Sequence, residues 1–322
     1  MKLITQIKIY LRLLKNFNKV GKIKSLYFFI YSMPLIGFCF FIFTKIILLT
    51  KSKKIIVFFF KKKIFLSTIR FLDIETRLFI STILPDYNQA IKLIEKNSLI
   101  NNIETTKLLN DLKKNGYASL GKVFSDNECD DLIKSLRGKK CFNSQVPMQS
   151  DGNNYTLNLD VNRYDTLISA YYCYDPNISL NFNPFKRFIN NKDLISLVEN
   201  YLNFQFTIYS SQTWVNPISK EKHYVYRPHR DHDDYKILGM VVYWTDVDEN
   251  NGSLSVAERS HISNNIGEFR NLTGKKGTVH LVDFGTLHKG SPIKDNPRIT
   301  SFLRFGNYFN HSTVMDCWCT TP

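Results

Sequence analysis

The second half of the chain consists of short runs of β-branched and aromatic residues that are separated by turn residues. Six such runs follow residue 204, and no long helical pattern interrupts them. Runs of this length, bounded by Gly and Asn, are typical of short strands. Many short strands without long helices between them favour a β-sandwich or jelly roll. The predicted strands are 205–209, 212–215, 238–245, 253–256, 278–282 and 300–306.

The region before these strands predicts helices around one short strand. Apolar residues recur at helical spacing over 88–115, and 116–120 is an apolar strand candidate. Ser125 and Glu128 form a capping-box pattern, which predicts a helix that continues through Leu136. The Asn-rich stretch 140–185 predicts loops and irregular strands over a pocket. We therefore expect a mainly β fold with flanking helices, of the α+β class.

The positive charge of the chain is confined to its N-terminal segment. Residues 1–70 contain thirteen Lys, two Arg and no Asp or Glu, so they carry the whole net charge of +15. The lysines alternate with long aliphatic and aromatic runs, which argues against nucleic-acid binding and favours a lipid partner. Residues 3–17 predict a basic amphipathic helix on an anionic membrane surface.

Residues 25–44 form an uncharged, apolar run of twenty residues, about the length that crosses a bilayer as a helix. No small-x-small cleavage site follows it, so a signal peptide fits badly. Pro34 and Gly37 lie in the middle of the run, and a monotopic insertion is the alternative to a transmembrane helix. A third interpretation makes these apolar runs core helices of a soluble domain.

These patterns divide the chain into three predicted parts. They are a membrane-associated helical segment over 1–85, a helical connector over 86–115, and a mainly β domain over 116–322. Seven basic residues precede the apolar run and eight follow it up to Arg70, so the charges do not predict its orientation. We expect the β domain to lie in the cytoplasm. The six cysteines lack disulfide-framework spacing, which agrees with this location.

A His-x-Asp pair and a distant histidine carry the strongest chemical signal. His229 and Asp231 are alternate residues, so their side chains share one face of an extended strand. Together with His288 they supply two imidazoles and one carboxylate, which can occupy one face of an octahedral Fe(II). In isolation such a pair is more often solvated on a surface. His232 and Asp234 form a rival pair that faces the opposite side.

An arginine near the last predicted strand points to a second ligand. Arg298 follows His288 by ten residues, and an arginine inside a barrel needs an anion because a lone buried charge is very costly. A dicarboxylate co-substrate supplies one. Thr300, two residues later on the same face, can add a hydroxyl donor. The alternative is a surface salt bridge between Arg298 and Asp295.

Five motifs follow one another in order along the chain. They are 116–117 with 124–129, His229-Arg230-Asp231 with Asp233-Asp234, 242–248 leading to Asn251-Gly252, Arg259-Ser260-His261, and 285–290 with Arg298. In their order and spacing, over about residues 116–310, the chain resembles the phytanoyl-CoA dioxygenase-like branch of the Fe(II)/2-oxoglutarate-dependent oxygenases. One departure is the stretch 257–261, where that family often has a Pro-Gly-Ser-His-like turn.

The resemblance implies a double-stranded β-helix, which is a jelly-roll or cupin-like fold. It implies that His229, Asp231 and His288 bind iron and that Arg298 anchors 2-oxoglutarate. Trp244 occupies a position that can line the co-substrate pocket, although a core aromatic is the other interpretation.

We therefore expect a dioxygenase that uses Fe(II), 2-oxoglutarate and O2 to hydroxylate a lipid-like small molecule, releasing succinate and CO2. Asp231 favours hydroxylation over halogenation, because related halogenases have a small residue in place of the carboxylate. Gln212 and Trp214 are further residues that can face the site, with the core as the alternative. The competing hypothesis is a non-catalytic, membrane-tethered β-sandwich that binds a ligand.

Overall fold

The computed structural model of the protein describes two packed antiparallel sheets with helices on one side. The residues it describes are 42–43, 46–50, 55, 74–83, 103–143, 157–158, 171–204, 206–218, 224–231, 234–264 and 266–306. The helices are α1 (Ile74–Ile83), α2 (Ile103–Asn115), α3 (Asp126–Leu136), α4 (Pro176–Leu180), α5 (Asn183–Ile189) and α6 (Lys192–Leu202). The strands are β1 (Tyr117–Lys122), β2 (Lys140–Asn143), β3 (Leu157–Asn158), β4 (Tyr172–Tyr174), β5 (Thr207–Asn216), β6 (Leu238–Tyr243), β7 (Leu254–Ala257), β8 (Phe269–Leu272), β9 (Thr278–Asp283), β10 (His288–Gly290) and β11 (Arg298–Gly306).

The strands form one large and one small sheet. The large sheet has the order β1-β9-β6-β11-β5-β4-β2-β3, and the small sheet has the order β10-β7-β8. Neighbouring strands pair antiparallel in both. From β5 onwards the chain passes between the two sheets several times, and β10 and β11 lie in different sheets. The predicted mainly β class with flanking helices is confirmed.

Two apolar cores lie on opposite faces of the large sheet. Val241 and Tyr243 of β6 pack between the sheets, against side chains of β7 and β8. Met240, Val242 and Trp244 alternate with them and pack towards the helices. The strand is therefore buried on both faces. A shift of one residue along the strand would move a side chain from one core to the other.

Several predicted elements match the structure. Ser125 Oγ accepts a hydrogen bond from the N–H of Glu128, whose carboxylate accepts one from the N–H of Ser125, so the predicted capping box opens α3. The predicted strands 205–209 and 212–215 merge into the single strand β5. Within 140–185, β2 and β4 extend the large sheet rather than forming loops alone. Helices α5 and α6 were not predicted.

Helix α1 lies within the predicted membrane-associated segment and packs on the β domain. Ile80 and Arg77 of α1 are buried, and Arg77 donates a 2.9 Å hydrogen bond to the carbonyl of Asp234. Ile74 lies beside Gly285. These contacts join α1 to two segments, one three residues after Asp231 and one three residues before His288.

Within the described residues, no helix has the length and apolarity needed to cross a membrane. The predicted transmembrane run 25–44 lies outside these residues apart from Ile42 and Phe43, which are helical. The predicted amphipathic helix 3–17 lies entirely outside them.

Candidate metal and co-substrate site

The two histidines and the aspartate of the predicted triad converge on one point. One potential ligand atom from each of His229, Asp231 and His288 lies within 4.8 Å of the other two. Oδ1 of Asp231 is 4.0 Å from Nε2 of His229 and 3.9 Å from Nε2 of His288. Such separations can close around one ion with metal–ligand bonds of about 2 Å. The rival residue Asp234 is fully buried, and its Oδ1 accepts a hydrogen bond from the N–H of Tyr235.

Backbone hydrogen bonds hold the two histidines side by side. The N–H of His229 donates to the carbonyl of His288 at 2.9 Å, and the reciprocal bond is 2.8 Å long. The N–H of Asp231 donates to the carbonyl of Phe284 at 3.0 Å. Arg230 lies between His229 and Asp231 in the sequence. Its guanidinium donates to the carbonyl of Gly285, three residues before His288. The ligand-bearing segments are therefore joined independently of any ion.

Both imidazoles present the same nitrogen to the centre. Nδ1 of His229 lies 2.8 Å from the carbonyl of Arg227, and Nδ1 of His288 lies 3.0 Å from the carbonyl of Thr286. A carbonyl can only accept, so each Nδ1 carries the proton and each Nε2 keeps its lone pair for a metal. Burial lowers the pKa of His288 to about 4, although the negative charge of Asp231 opposes this shift. The low pKa keeps the imidazole neutral near pH 7.

The carboxylate of Asp231 is oriented by Arg304, a residue that the sequence did not single out. Nη2 of Arg304 donates a 3.0 Å hydrogen bond to Oδ2 of Asp231, leaving Oδ1 directed at the imidazoles. The guanidinium also lies 5.7 Å from the ring centroid of Phe284, within cation–π range. Arg304 shares a strand face with Arg298, so strand alternation was the signal that could have found it.

A buried acid fixes the turn that precedes His288. Oδ1 of Asp283 accepts the N–H of Gly285 at 2.6 Å, and Oδ2 accepts the phenol of Tyr201 at 2.6 Å. Burial raises the pKa of Tyr201 well above its usual value, and the Asp283 carboxylate adds to the effect, so the phenol remains a donor. Helix α6 thereby supports the metal site from behind.

Arg298 is buried and held at the end of the same sheet face. Its Nε and Nη2 donate to Oδ1 of Asn216 at 3.2 and 3.0 Å, and Nη1 donates to the carbonyl of Gly252. Among the described residues, no carboxylate forms an ion pair with this guanidinium, and Asp295 is exposed. The salt-bridge alternative is therefore wrong. Burial lowers the pKa of Arg298, while the neighbouring phenols of Tyr226 and Tyr243 oppose this effect.

Three of the five guanidinium N–H groups of Arg298 have partners within the described part of the chain. The remaining two can meet a carboxylate in a bidentate arrangement. Thr300 is fully buried, and its Oγ1 has no hydrogen-bond partner among the described residues. It alternates with Arg298 on β11 and so shares its face. The guanidinium of Arg298 and the hydroxyl of Thr300 can therefore both donate to one ligand, because alternate residues on a strand lie about 7 Å apart.

Gln212 and Trp214 face the site, whereas Trp244 does not. Gln212 pairs with Phe302 and Trp214 pairs with Thr300 across β5 and β11, which places both on the triad face of the sheet. Trp244 faces the other way. Its ring packs 4.9 Å from that of Phe124, and its Nε1 donates to Ser301. The structure therefore corrects the expectation that Trp244 lines the co-substrate pocket.

The comparisons with known proteins gave structural similarity alone. No protein-family model matches the chain, and no curated protein sequence matches it. The non-heme α-ketoglutarate-dependent epimerase SnoN from nogalamycin biosynthesis is 13% identical, with a TM-score of 0.46 over 63% of this chain and 83% of SnoN. HygX from Streptomyces hygroscopicus, solved with nickel and 2-oxoglutarate, is 13% identical, with a TM-score of 0.43 over 63% and 87%. AviO1 from Streptomyces viridochromogenes is 14% identical, with a TM-score of 0.42 over 64% and 96%.

Proposed function

We propose that the protein is an Fe(II)- and 2-oxoglutarate-dependent dioxygenase that hydroxylates a small molecule. The observation that carries this proposal is the convergence of His229, Asp231 and His288 within 4.8 Å. Arg298 and the unpartnered Thr300 hydroxyl on one sheet face support it. We further propose that the two-sheet domain is a double-stranded β-helix of the phytanoyl-CoA dioxygenase-like branch.

The donor set of the triad fits Fe(II). Two neutral imidazoles and one carboxylate that leave open positions are the ligand set of non-heme Fe(II) oxygenases. Burial of His288 and the hydrogen bond to its Nδ1 keep its Nε2 available as a ligand at neutral pH. Arg304 donates a hydrogen bond to Oδ2 of Asp231, and Oδ1 faces Nε2 of both histidines.

The polar groups near Arg298 fit the distal carboxylate of 2-oxoglutarate. A buried cation without a carboxylate partner in the described part of the protein calls for an anionic ligand. Two free guanidinium N–H groups and the Thr300 hydroxyl offer three donors to one carboxylate. Phenols beside Arg298 remain protonated, because burial raises the pKa of both Tyr226 and Tyr243.

When bound, iron and 2-oxoglutarate would supply the oxidising chemistry, with O2 consumed and succinate and CO2 released. The protein's own contribution is positional. His229, Asp231 and His288 hold the metal on one face, while Arg298 fixes the far end of the co-substrate. The ring of Phe284 packs between the His288 imidazole and Phe302, at 5.1 and 6.3 Å between ring centroids.

Metal-dependent turnover is the direct test. The purified protein should convert 2-oxoglutarate to succinate with Fe(II) and O2, and Asp231→Asn should abolish both turnover and tight metal binding. Asp246→Asn, at an exposed loop carboxylate, is the matched control and should retain both. Normal folding of the wild-type protein without metal binding or turnover would instead favour the non-catalytic ligand-binding sandwich.

We also propose that the N-terminal segment attaches the protein to a membrane, with the catalytic domain in the cytoplasm. The absence of acidic residues over 1–70 supports an anionic lipid surface as the partner. Exposed apolar side chains near the buried Ile47 also support membrane attachment. These exposed residues are Ile42, Phe43, Ile46 and Leu49.

Vesicle flotation tests the membrane proposal. The full chain should float with vesicles that contain phosphatidylserine, and high salt should weaken the association. Lys53→Glu with Lys54→Glu should reduce flotation, whereas Lys139→Glu in the catalytic domain should not. Equal flotation of the double variant and the wild type at low salt would count against an electrostatic contribution from this segment.

A further inference from the structure

Four aromatic rings form a continuous row along one side of the triad. Tyr171 stacks on Trp214 at 4.6 Å between centroids, and Trp214 lies 4.4 Å from Phe302. Phe302 lies 6.3 Å from Phe284, whose ring is 5.1 Å from the imidazole of His288. The row therefore ends against a proposed metal ligand.

The middle of this row is accessible, whereas its two ends are buried. Tyr171 and Phe284 are 8% and 3% exposed, but Trp214 and Phe302 are partly exposed although they lie on the inner face of the sheet. Their accessible surface therefore lies on the triad face of the large sheet. We call these two rings, Trp214 and Phe302, the aromatic wall.

The charge beside the aromatic wall is already compensated. Arg304 follows Phe302 on the same face, and its guanidinium is paired with Asp231. Gln212, the cross-strand partner of Phe302, offers a neutral amide. The other strand neighbour of the wall, Thr300, is the hydroxyl already assigned to the co-substrate. Arg298, two residues before Thr300, is the cation assigned to the co-substrate, so the described strand neighbours of the wall offer no charge to the substrate.

One polar atom of the wall lacks a partner. The indole Nε1 of Trp214 is buried and has no hydrogen-bond acceptor in the described part of the protein. A buried N–H without an acceptor is destabilising, because it has lost its hydrogen bond to water. A ligand with one neutral acceptor, such as an ester, ether or hydroxyl oxygen, would satisfy it.

We propose that the primary substrate presents an uncharged hydrocarbon group, as an aliphatic chain or apolar ring, to the aromatic wall. This inference rests on the proposed function and names the substrate class of the same site. Apolar groups are favoured against ring faces because burial of their surface from water is favourable. The contact places C–H bonds next to the triad, where hydroxylation requires them.

The test is competition for a neutral apolar fluorophore, N-phenyl-1-naphthylamine, on protein loaded with Mn(II) and 2-oxoglutarate. Decan-1-ol should displace the probe, whereas maltose and spermine, which are polar and cationic, should not. Trp214→Ala and Phe302→Ala should each weaken decanol binding roughly tenfold, by loss of a ring contact. Phe269→Ala, at an exposed ring on β8, should bind decanol as the wild type does.

The outcomes separate this inference from the proposed function. Displacement by maltose or spermine but not by decanol would overturn the hydrocarbon class, and so would equal decanol binding by the wild type and both wall variants. Calorimetry of Mn(II) and 2-oxoglutarate binding to the same proteins tests the proposed function independently. If a wall variant does not fold, the competition series on the wild-type protein still decides the class.

Discussion

His280 provides a quantitative test of how the interior between the sheets affects stability. Its side chain is 2% exposed, and its ring lies 5.3 Å from that of Tyr243. Burial lowers the pKa of His280 to about 4, a shift only partly opposed by the backbone of Thr273. The folded protein therefore holds this imidazole neutral at pH values where the unfolded chain protonates it.

The sign and size of the effect follow from proton linkage. Well above the unfolded-state pKa of 6.5 neither state binds the proton, so His280 adds no pH dependence there. As the pH falls from 6.5 towards 4, only the unfolded state gains the proton, and the folded state loses stability. With these two pKa values the loss is about 2 kcal/mol at pH 5 and about 3 kcal/mol below pH 4.

We expect His280→Leu, which keeps a similar volume, to remove this loss. Urea denaturation followed by circular dichroism at pH 7.5 and pH 5.0 gives the free energy of unfolding of both proteins. The decrease between the two pH values should be about 2 kcal/mol smaller in the variant. Other titrating groups cancel in this difference, and the two proteins should show equal changes between pH 7.5 and 9. An identical acid decrease in both proteins would refute the argument.

Three further substitutions test the site. Arg304→Gln should weaken Fe(II) or Mn(II) binding at least tenfold, because Asp231 loses a charged hydrogen bond, and calorimetry will measure the loss. Arg298→Lys should raise the KM for 2-oxoglutarate more than it lowers kcat, since an ammonium group lacks the planar fork; equal KM values would contradict this. Gly239→Ala should lower the midpoint of thermal unfolding by several degrees, because the new Cβ would lie 1.9 Å from Cε2 of Phe284.

The sequence predicted the triad because its chemistry depends on residue type and order, which are visible without a structure. His229, Asp231 and His288 are brought together by a backbone pairing that strand patterns and the spacing of the motifs could anticipate. Most strands from β5 onwards were also recognisable, because short β-branched runs between turn residues identify strands locally.

The face that a buried strand presents could not be predicted in the same way. Every side chain of β6 is buried, so polarity does not alternate along it, and Trp244 and Tyr243 were indistinguishable as pocket residues. Asn216 was missed because its role depends on its cross-strand pairing with Arg298, whereas strand alternation could have identified Arg304. The apolar positions Leu194, Leu197, Val198 and Tyr201 of α6 do recur at helical spacing, so that helix was accessible from the pattern.

The docking of α1 has a consequence for how the protein can be shortened. A truncation at the predicted boundary near residue 86 would remove the buried side chains of Arg77 and Ile80, the second of which belongs to the core on the helix side of the large sheet. It would also remove two contacts of α1, the hydrogen bond from Arg77 to the Asp234 carbonyl and the packing of Ile74 beside Gly285. These contacts lie near Asp231 and His288. A chain that starts near residue 70 should therefore retain metal affinity and cooperative unfolding, and one that starts at residue 86 should lose part of both. A conformational change in the N-terminal segment that displaced α1 would therefore also displace the segments that carry the proposed metal ligands.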